Sequence, residues 1–527
     1  MTSTASMRPR HAVDRSLATI AVTFSLVTPD VEGASRVSAD ATVRGVSMAS
    51  DDVQPGDLFV AVPGARVHGA RFAADAVGAG AAAVVTDAAG VAVLGDLVRR
   101  VPVLVTEDPR ALAGPLAADV LGRPAERLTT VGVTGTNGKT TTTYFVDAAL
   151  RAAHASTAVL GTVELRIGED AIESPRTTVE APVLHGVLAL ALERGATAVA
   201  MEVSSHALAL HRVAGTTFDV VGFTNLQRDH LDFHGDMEGY FRDKARLFAP
   251  GQARRGVVVV DDEWGARLAR EAQIPVESVA THVGDPAAAD ADWAVVSADV
   301  GLDGVGSTFV LRGPDGARHD AVSPLPGLVN VSNAALAIVL AHAAGVDLQV
   351  AIGAVATAHA IPGRMERVIE RAPGRALALV DYAHTPDALV LALEAVRPIT
   401  PGRLVIVFGS DGDRDRGKRP IMGEIAARLA DVLVVTDENP RSEDPASIRA
   451  AILDGVRTVR PDLTDVLEVE PRAEAVRRGV ALAREGDTVI VTGKGHEPTQ
   501  EIAGVFHRYN DRDVLLAVRD ESAGGHA

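Results

Sequence analysis

Thr130-Val-Gly-Val-Thr-Gly-Thr-Asn-Gly-Lys-Thr-Thr-Thr142 is the stretch that decides the fold of this 527-residue chain. Its apolar start predicts a buried strand over 130–133, and residues 140–150 predict a helix after a glycine-rich turn. This layout is typical of a phosphate-binding loop, because backbone N–H groups and the helix dipole attract an anion, Lys139 neutralises it and the Thr140 hydroxyl can hold Mg²⁺. Val133 stands where the strict G-x-x-x-x-G-K-T pattern has its first glycine. An ordinary glycine-rich turn is the alternative, but the flanking strand and helix favour phosphate binding.

Lysine is rare in the chain: of 51 lysines and arginines only four are lysines, namely Lys139, Lys244, Lys418 and Lys494. Each stands in a motif-like run, GKT, DKARLF, DRGKRP or GKGHE. A lysine offers a compact ammonium with a movable pKa and a nucleophilic amine, which a guanidinium does not. Chance in a lysine-poor composition is the alternative, but the four positions favour sites where arginine cannot serve.

Composition limits the class of protein. A length of 527 residues predicts two to four domains, and 47% hydrophobic residues with 3% aromatics predict cores of alanine, valine and leucine. The net charge of −18 argues against nucleic-acid binding, and the lack of cysteine excludes disulfides and thiolate metal sites. The apolar run 16–27 resembles a signal peptide, but it has polar residues inside it and no clear cleavage site after it. We expect a disordered head, then an element of the first domain, in a cytoplasmic protein without a membrane span.

Strands alternate with helices along the chain, which predicts an α/β fold with mostly parallel sheets in three blocks. The first is a small α/β domain over 40–107 that ends near Pro124. The nucleotide block begins near Leu128, with further strands at 198–203, 220–225 and 256–260, a peripheral hairpin region at 285–324 and a helix at 332–344. The third block begins near Pro362, with strands at 376–380, 403–408, 432–435 and 488–491. We expect the tail, 521–527, to be disordered.

Two motifs follow predicted strands of the nucleotide block, Met201-Glu-Val-Ser-Ser-His-Ala-Leu208 and Phe223-Thr-Asn-Leu-Gln-Arg-Asp-His-Leu-Asp232. Glu202 and His230 are candidate ligands for a cation, and Mg²⁺ prefers carboxylate and phosphate oxygens. The alternative for His206 and His230 is a buried, hydrogen-bonded histidine. Lys244 would usually be a surface helix residue, but its retention in a lysine-poor chain indicates a further role.

Charged loops follow the strands of the third block. One offers Asp381 and His384 to a nucleotide, and the others span 408–420, 438–445 and 493–497. Each loop alone is compatible with solvated surface. Because the carboxyl ends of parallel strands meet at one edge of a sheet, four such loops favour a site for a polar small molecule.

The runs GTNGKTTT, MEVSSHALALHR, DYAHTPDAL, GDRDRGKRP and GKGHE together resemble the Mur ligase family, over nearly the whole chain from Gln54 to Glu497. The resemblance implies a UDP-binding domain at 1–127, a central ATPase domain at 128–361 and a Rossmann-like domain at 362–527. It also implies an ATP-dependent, amide-forming ligase of peptidoglycan precursor synthesis, which serves cell shape and division. The ligase would add the third amino acid to UDP-N-acetylmuramoyl-L-alanyl-D-glutamate. We expect a cytoplasmic monomer.

The resemblance assigns roles residue by residue. Lys139, Lys244 and His206 would be catalytic, with Lys244 carbamylated so that its amine becomes a carboxylate that helps bind Mg²⁺. The metal would be held by Thr140, Glu202, His230 and Lys244. ATP would be bound by Gly135, Thr136, Asn137, Gly138, Lys139, Thr140, Thr141, Asn333, Arg364, Asp381 and His384. The muramyl dipeptide would be bound by Ser50, Thr177, Thr178, Ser204 and Arg212, and the amino acid by Arg419, Glu438, Asn439, Arg441, Gly493 and Glu497.

Arg441 indicates which amino acid is added. Its planar guanidinium suits a distal carboxylate such as that of meso-diaminopimelate, and it repels the ammonium of lysine, ornithine or another diamino acid, which remain the alternatives. By resemblance, an Asn-Pro-Arg run accompanies diaminopimelate specificity. Glu438 departs from the usual Asp before that run, and it either shifts the loop or gives an acidic partner to a side-chain ammonium. Other departures affect the uridine and muramyl contacts, namely Ala49 and Asp51 beside Ser50, Ala65 with Arg66, Val179 and Leu210.

The implied chemistry is activation of a carboxylate by ATP to an acyl phosphate, followed by attack of an amine. Mg²⁺ and Lys139 would offset charge on the γ-phosphate. The rivals are another muramyl ligase, a folylpolyglutamate synthase and a regulatory P-loop NTPase that ligates nothing. The UDP-type first domain disfavours folate, GKGHE with ENPR disfavours the other muramyl steps, and the charged loops of the third block disfavour a switch protein.

Overall fold

The computed structural model describes residues 7–64, 66–301 and 306–524, so Ala65 lies outside the described residues. The chain folds into two compact units. The first comprises the chain up to Ser278 together with Leu336–Ala351, and the second comprises Val279–Ala335 and the chain from Ile352 onward. The predicted α/β class with mostly parallel sheets is confirmed. The three domain boundaries stay a prediction.

The first unit begins with a small parallel sheet. Its elements are β1 (Arg15–Ser16), α1 (Leu17–Thr23), β2 (Thr42–Val43), β3 (Gly45–Ser47), β4 (Asp57–Val60), α2 (Ala73–Gly78), β5 (Ala83–Thr86), α3 (Ala88–Leu94), β6 (Val103–Val105) and α4 (Pro109–Val120). The strands run in the order β3-β4-β5-β6 and are all parallel, whereas β1 and β2 form an antiparallel pair. Both β4 and β5 are buried over their whole length, which matches their mostly apolar sequences, broken only by Asp57 at the start of β4 and Thr86 at the end of β5.

The expectation of a disordered head is wrong from Met7 onward. Met7 packs into the hydrophobic core of the first unit. The guanidinium of Arg8 pairs with the carboxylate of Asp57 at 2.6 Å and with that of Asp52 at 3.0 Å. These partners lie more than forty residues away in sequence, so a local reading of the head does not reveal them. Residues 1–6 lie outside the described residues.

The phosphate-loop stretch lies in a second sheet of the first unit. The elements are β7 (Thr129–Thr134), α5 (Lys139–Ala153), β8 (Thr157–Leu160), β9 (Glu164–Ile167), β10 (Asp170–Glu173), α6 (Ala181–Glu193), β11 (Ala198–Glu202), α7 (Ser205–Ala209), β12 (Phe218–Phe223), α8 (Leu231–His234), α9 (Met237–Ala245), β13 (Ala253–Val259) and α10 (Glu263–Glu271). The strand order is β10-β9-β8-β11-β7-β12-β13, parallel from β8 to β13. The four predicted strands of this block are confirmed with small shifts of their ends. Since β7 is central, its loop lies beside those that follow β11 and β12.

The hairpin region predicted at 285–324 is confirmed. Strand β14 (Val276–Ala280) contains the division between the units and pairs with β15 (Trp293–Val300), which is followed by β16 (Ser307–Arg312) and β17 (Arg318–Ser323). Residues 302–305 lie outside the described residues. The helices α11 (Leu328–Ala343) and α12 (Leu348–Ala356) follow. The predicted helix at 332–344 therefore begins four residues earlier than expected.

The remainder of the second unit carries the third sheet. Its elements are β18 (Glu366–Ile369), β19 (Leu377–Asp381), α13 (Pro386–Val396), β20 (Leu404–Phe408), α14 (Lys418–Leu429), β21 (Val432–Val435), α15 (Pro445–Arg457), β22 (Val466–Glu468), α16 (Arg472–Leu482), β23 (Thr488–Thr492), β24 (Thr499–Ile502), β25 (Val505–Arg508) and α17 (Asp511–Gly524). The order is β18-β19-β23-β20-β21-β22, parallel except for β18. The carboxyl ends of β19, β20, β21 and β23 thus share one edge.

The expectation of a disordered tail is wrong for residues 521–524, which continue α17. The helix is held by the buried side chain of Leu515 and by an ion pair of 2.7 Å between Glu521 and Arg477. Residues 525–527 lie outside the described residues. Within the described ranges, the helices all fall short of the length and hydropathy needed to cross a bilayer.

Candidate functional site

The phosphate loop joins β7 to α5 and is shaped by its glycines. Gly135 and Gly138 have φ of 142° and 87°, and a Cβ on Gly135 would overlap the hydroxyl of Thr224. The loop is tied to the segment after β12, since Thr136 N–H donates to Asn225 O at 2.9 Å and the side-chain amide of Asn137 donates to Gln227 at 2.6 Å. A glycine-shaped loop that leads into the N-terminus of a helix is a site for a phosphate, because the helix dipole and the first N–H groups of the helix attract an anion.

Lys139 lies at the start of α5, where its ammonium donates to the carbonyls of Gly135 and Thr136 at 3.0 and 2.8 Å. The carbonyls of the loop therefore hold the Lys139 ammonium in a fixed position. Thr140 and Thr141 follow and are buried. All seven loop residues predicted to bind ATP, 135–141, lie in this one turn.

Glu202 is the acceptor at the centre of this site. It ends β11, is buried, and both carboxylate oxygens accept from the Thr140 hydroxyl at 3.0 Å. Thr162, which the sequence reasoning missed, donates to Glu202 through its N–H at 2.7 Å and its hydroxyl at 3.1 Å. Thr140 and Glu202 supply the hard oxygen ligands that Mg²⁺ prefers. Within the described ranges, no group of three or more His, Cys, Asp or Glu side chains is arranged to hold a metal.

Lys244 is buried, so the alternative of a surface helix residue is wrong for it. Its side chain is 1% exposed on α9, and Nζ donates to Gly135 O at 2.7 Å and lies 4.5 Å from the centre of the Tyr240 ring. Burial, and then the charge of Lys139, lower the pKa of Lys244 well below its usual value. The amine is thus held next to the phosphate loop in an environment that favours its neutral, nucleophilic form.

His206 and His230 lie together, with ring centres 4.7 Å apart. His230 adopts a left-handed backbone and pairs with Asp229 at 3.3 Å, and its side chain is 49% exposed, so it is not the buried histidine of the alternative. Burial, and then the charges of the neighbouring histidines, lower the pKa of His206 to about 4. The ring of His206 is therefore neutral at pH 7.

The buried, hydrogen-bonded histidine of this cluster is His234, which sequence reasoning missed. Its side chain is fully buried, with Nδ1 2.7 Å from Asp243 and Nε2 3.0 Å from the Ser205 hydroxyl. Asp243 precedes Lys244 on α9, and Ser205 begins α7. The histidine therefore links the lysine-bearing helix to the segment after β11. Its position four residues after His230 was the signal available in the sequence.

Four of the predicted muramyl-dipeptide residues lie beside Glu202. The Thr178 hydroxyl donates to the Glu202 carbonyl at 2.9 Å and accepts from Ser204 N–H at 3.1 Å. Arg212 donates to the Thr178 carbonyl at 3.4 Å, and Thr177 accepts from the Thr162 hydroxyl at 3.1 Å. Ser50 lies instead in the turn Ser50–Asp52 between β3 and β4.

In the second unit, three of the four residues predicted to bind a nucleotide, Arg364, Asp381 and His384, lie around Tyr382. The guanidinium of Arg364 lies 4.3 Å from the centre of its ring, and the ring of His384 lies 4.6 Å from it. Asp381 ends β19 and accepts from the N–H groups of Met365 and Ala383 at 2.9 Å. Burial raises the pKa of Asp381 in spite of Arg364 and these hydrogen bonds. The predicted residue Asn333 lies on α11 and donates to Asn330 at 3.2 Å.

Two of the predicted amino-acid contacts lie in a closed network around the fourth lysine. The buried Lys494 ammonium donates to Asn439 Oδ1 and Glu497 Oε2, both at 2.9 Å. Asn439 in turn donates to Glu497 at 3.0 Å. Burial raises the pKa of Glu497, but Lys494 and Asn439 outweigh it and the net shift is downward. Lys494 thus fixes the loop after β23 to the loop after β21.

Arg419, another predicted contact, is buried and already occupied. It donates to both oxygens of Glu443 at 2.9 and 3.1 Å and to the carbonyl of Asp411 at 3.1 Å. This pairing lowers the pKa of Glu443 to about 2. Arg419 therefore ties the loop after β20 to the loop after β21. Its predicted role as a substrate contact stays a prediction.

The last three predicted contacts, Glu438, Gly493 and Arg441, lie in the loops after β21 and β23. Glu438 directly follows the β21 strand region and is 2% exposed, and a Cβ on Gly493, with φ 111°, would overlap its carboxylate. Arg441 has φ 55° and its backbone pairs with Glu501 and Ala503 of the β24–β25 hairpin. Its guanidinium lies 3.8 Å from Asp411, a residue that sequence reasoning did not single out.

Three family models match the chain. These are the Mur ligase family catalytic domain over residues 42–119, the Mur ligase middle domain over 133–341 and the Mur ligase glutamate ligase domain over 363–495. Together they span the three sheets. The phosphate loop, Glu202 and Lys244 lie in the second match, and Arg441 lies in the third.

Among curated proteins, the chain is 47% identical to the UDP-N-acetylmuramoyl-L-alanyl-D-glutamate--2,6-diaminopimelate ligase of Streptomyces avermitilis, with 99% of this chain and 100% of that protein covered. It is 46% identical to the UDP-N-acetylmuramyl-tripeptide synthetase of Leifsonia xyli subsp. xyli, with 98% of each covered. A solved structure of a UDP-N-acetylmuramoyl-L-alanyl-D-glutamate--2,6-diaminopimelate ligase matches with a TM-score of 0.66 at 32% identity, over 94% of this chain and 99% of that one. With a phosphate loop, three α/β sheets and relatives matched along their full length, the chain belongs to the Mur ligase family.

Proposed function

We propose that this chain is the ATP-dependent ligase that joins meso-diaminopimelate to UDP-N-acetylmuramoyl-L-alanyl-D-glutamate in peptidoglycan precursor synthesis. The observation that carries the proposal is the similarity of the whole chain to a ligase of that name, at 47% identity. The phosphate loop with Glu202 and Lys244 in the first unit, and Arg441 in the second unit, support it. Because the substrates are ATP, a nucleotide-linked precursor and a free amino acid, we place the enzyme in the cytoplasm. We propose that it acts as a monomer.

The first half of the reaction activates a carboxylate. The substrate carboxylate attacks the γ-phosphorus of ATP, ADP leaves, and the product is an acyl phosphate. Lys139, whose ammonium already lies within the loop, would neutralise charge on the γ-phosphate as it transfers. The Thr177, Thr178, Ser204 and Arg212 group beside Glu202 would position the muramyl dipeptide for this step.

The residues around Glu202 fit Mg²⁺. Thr140 and Glu202 provide a hydroxyl and a carboxylate 3.0 Å apart, and a magnesium ion usually completes its shell with phosphate oxygens and water. Bound there with the nucleotide, the ion would neutralise phosphate charge. His230 would contribute from the loop after β12.

We propose that Lys244 is carbamylated. Burial and Lys139 lower the pKa of its buried amine, which favours the neutral form that reacts with carbon dioxide, and the carbamate would supply a carboxylate near the metal. An arginine cannot form this group, which accounts for a lysine in a chain that otherwise uses arginine.

The second half of the reaction forms the amide. The neutral α-amine of the amino acid attacks the acyl carbon, a tetrahedral intermediate forms, and phosphate leaves after the amine has lost its proton. Neutral His206 would accept a hydrogen bond from that amine. Arg441 would bind the distal carboxylate of meso-diaminopimelate, with Arg419, Asn439, Gly493 and Glu497 shaping the pocket.

Release of inorganic phosphate tests the proposal. We expect release from ATP only when UDP-N-acetylmuramoyl-L-alanyl-D-glutamate and meso-diaminopimelate are both present. Phosphate release that needs neither compound would indicate a P-loop NTPase that switches without ligating. Release that needs folate and glutamate would indicate a folylpolyglutamate synthase.

A further inference from the structure

The ring of His234 has a hydrogen-bonding partner at each nitrogen. The side chain is fully buried, with Nδ1 2.7 Å from Asp243 Oδ2 and Nε2 3.0 Å from the Ser205 hydroxyl. Because a carboxylate only accepts hydrogen bonds, Nδ1 carries a proton that it donates to Asp243. The other oxygen of Asp243 pairs with Arg246 at 3.0 Å. The orientation of the imidazole is therefore fixed from both sides.

The three side chains have the order of a nucleophilic Ser–His–Asp triad, but Ser205 is placed for a different task. It is 2% exposed at the start of α7, whereas a nucleophile has to reach its substrate. Asp243 lies on α9. The hydrogen bonds of His234 therefore connect α7 to α9 and do not serve an attack by the serine.

The His234 ring also packs against two other rings. Its centre lies 5.0 Å from that of Tyr240, with 36° between the planes, and 5.2 Å from that of His206, with 67° between the planes. Tyr240 is 1% exposed, so it lies in close-packed surroundings that transmit small displacements. An imidazole of fixed orientation thus gives the tyrosine ring a fixed surface to pack against.

Tyr240 extends this support to Lys244. The two residues are one turn apart on α9, and Lys244 Nζ lies 4.5 Å from the centre of the tyrosine ring. The Tyr240 hydroxyl lies 3.2 Å from the hydroxyl of Thr136. Lys244 donates to Gly135 O at 2.7 Å. Helix α9 therefore meets the phosphate loop at both residues, and a shift of the tyrosine would move the amine.

Helix α9 needs support from its surroundings. It has nine residues, whereas an isolated helix of fewer than about 12 residues is marginal in water. An apolar ring in place of His234 would pack there without the cost of burying polar atoms. What the imidazole adds is a single orientation, set by two directional hydrogen bonds. The arrangement is thus better suited to holding a position than to adding stability.

We propose that His234 is a positioning residue for Lys244. Its hydrogen bonds to Asp243 and Ser205 fix α9 against α7. Its ring supports Tyr240, which keeps the Lys244 amine next to the phosphate loop. The inference rests on the ligase activity proposed above, in which Lys244 acts beside that loop. Loss of the imidazole should therefore lower kcat and leave the binding of substrates nearly unchanged.

His234→Phe keeps a ring and removes both hydrogen bonds. In the full-length enzyme we expect kcat, measured as amino-acid-dependent phosphate release, to fall about tenfold or more. The KM values for ATP and for the muramyl dipeptide should stay within about twofold of the wild type. A wild-type kcat, or a loss that appears in KM alone, would overturn the proposal.

Two conservative variants each keep one of the hydrogen bonds. The amide of His234→Asn overlaps Nδ1 and can donate to Asp243, and that of His234→Gln overlaps Nε2 and can bond to Ser205. Each should lower kcat by about two- to tenfold, the effect of one hydrogen bond. His154→Phe is the matched control and should keep the wild-type kcat. His154 bonds to Thr197 before the amino end of β11, whereas Ser205 lies beyond its carboxyl end.

The Lys244→Ala background separates positioning from general stabilisation. If His234 acts through Lys244, His234→Phe should change kcat by less than about twofold once the lysine is alanine, because residues that act as one unit are not additive. A purely structural residue would lower kcat by the same factor in both backgrounds. Equal losses in the two backgrounds would therefore overturn the proposal.

A crystal structure of the His234→Phe variant gives a readout that does not depend on turnover. We expect Lys244 Nζ to lie more than about 3.5 Å from Gly135 O, so that their hydrogen bond is lost. An unchanged contact of 2.7 Å would contradict the role of the imidazole in placing the amine.

Failure of the inference is distinguishable from failure of the proposed ligase. If the wild-type enzyme ligates no amino acid, the proposed function is wrong, and the crystal structure still decides whether His234 places Lys244. If the wild type ligates and the His234 variants match it, only the positioning role is wrong. Should His234→Phe not fold, as judged by circular dichroism and thermal unfolding, the asparagine and glutamine variants decide by the same measurements.

Discussion

The phosphate-loop region of the first unit and the loops after β20, β21 and β23 of the second unit, here called the strand-end pocket, differ in how their charged groups are paired. Around the loop, Lys139 and Lys244 donate to backbone carbonyls, and Glu202 accepts from Thr140 and Thr162. In the pocket, oxygens of Glu438 and Asp411 and the Nε of Arg441 have no partner within the described ranges. The charged groups around the loop are thus paired within the chain, whereas these groups of the pocket leave hydrogen-bonding capacity for a ligand.

From this difference we expect the largest losses of activity from substitutions in the phosphate loop. Lys139→Ala should lower amino-acid-dependent phosphate release on the order of 10³-fold, because the ammonium that would neutralise charge on the γ-phosphate is removed. The unfolding temperature should change little, since the side chain lies on a loop and not in the core. Arg151→Ala, at the other end of α5, is the control. Turnover like that of the wild type would rule out the assigned role.

Lys244 comes next in expected effect. Lys244→Ala should lose on the order of 10²-fold in kcat, Lys244→Arg should fail as well because guanidinium forms no carbamate, and added formate or acetate should partly restore the alanine variant. Arg242→Ala is the control, as an exposed neighbour on α9. Intact-mass measurement that finds unmodified lysine in the active, Mg²⁺-loaded enzyme would contradict carbamylation.

A substitution of Arg441 tests the pocket separately from the phosphate loop. Arg441→Ala should lower kcat/KM for meso-diaminopimelate roughly 10- to 100-fold, while the KM for ATP stays within about twofold because the phosphate loop is intact. Arg457→Ala on α15 is the control. An equal effect on ATP and on the amino acid would show that Arg441 does not belong to a separate amino-acid pocket.

The smallest expected effect is a dependence on pH. Burial and Asp411 raise the pKa of Glu438 to about 8, with Glu497 acting in the same direction and Lys418 and Arg472 against it. The Glu438 carboxyl is therefore mostly protonated at pH 7, and it must lose that proton to pair with the ammonium of a diamino acid. The KM for meso-diaminopimelate should fall as pH rises from 6 to 8, by at most about tenfold per pH unit, and level off above it.

Glu438→Gln should remove that slope. The same carboxyl also makes folding stability depend on pH, but in the opposite direction: as pH rises, substrate binding improves and stability falls. Because its folded pKa is raised, its contribution to stability is fully present below its unfolded pKa and is lost as pH rises toward 8. The glutamine variant should therefore lose less stability over that range than the wild type does. A KM that is flat with pH in the wild type would contradict the buried, protonated carboxyl.

The phosphate loop could be predicted because its residues are contiguous in the sequence. The pocket could not, because its residues are brought together by the pairing of strands that are distant in the sequence. The strand, turn and helix around Lys139 lie within one stretch, so the bounds of β7 and α5 were predicted within a few residues, and the scarcity of lysine pointed to the buried Lys244. The loops that carry Asp411 and Glu438 lie side by side only because β20 and β21 are neighbours in a sheet, and the ion pair of Arg419 with Glu443 depends on the same pairing. The sequence analysis did not predict the ordered head for a similar reason, because the partner of Arg8 is Asp57, 49 residues away in the sequence.

The identity of the ligated product tests the account most directly. The enzyme is given ATP, Mg²⁺, UDP-N-acetylmuramoyl-L-alanyl-D-glutamate and an equimolar mixture of meso-diaminopimelate, L-lysine and L-ornithine, and the products are separated by mass. We expect a tripeptide product that contains diaminopimelate, formed with one ADP and one phosphate for each amide bond. A preference for lysine or ornithine of about tenfold or more, which corresponds to about 1.4 kcal/mol in transition-state binding, would contradict the role of Arg441. ATP hydrolysis with no ligated product would contradict the ligase itself.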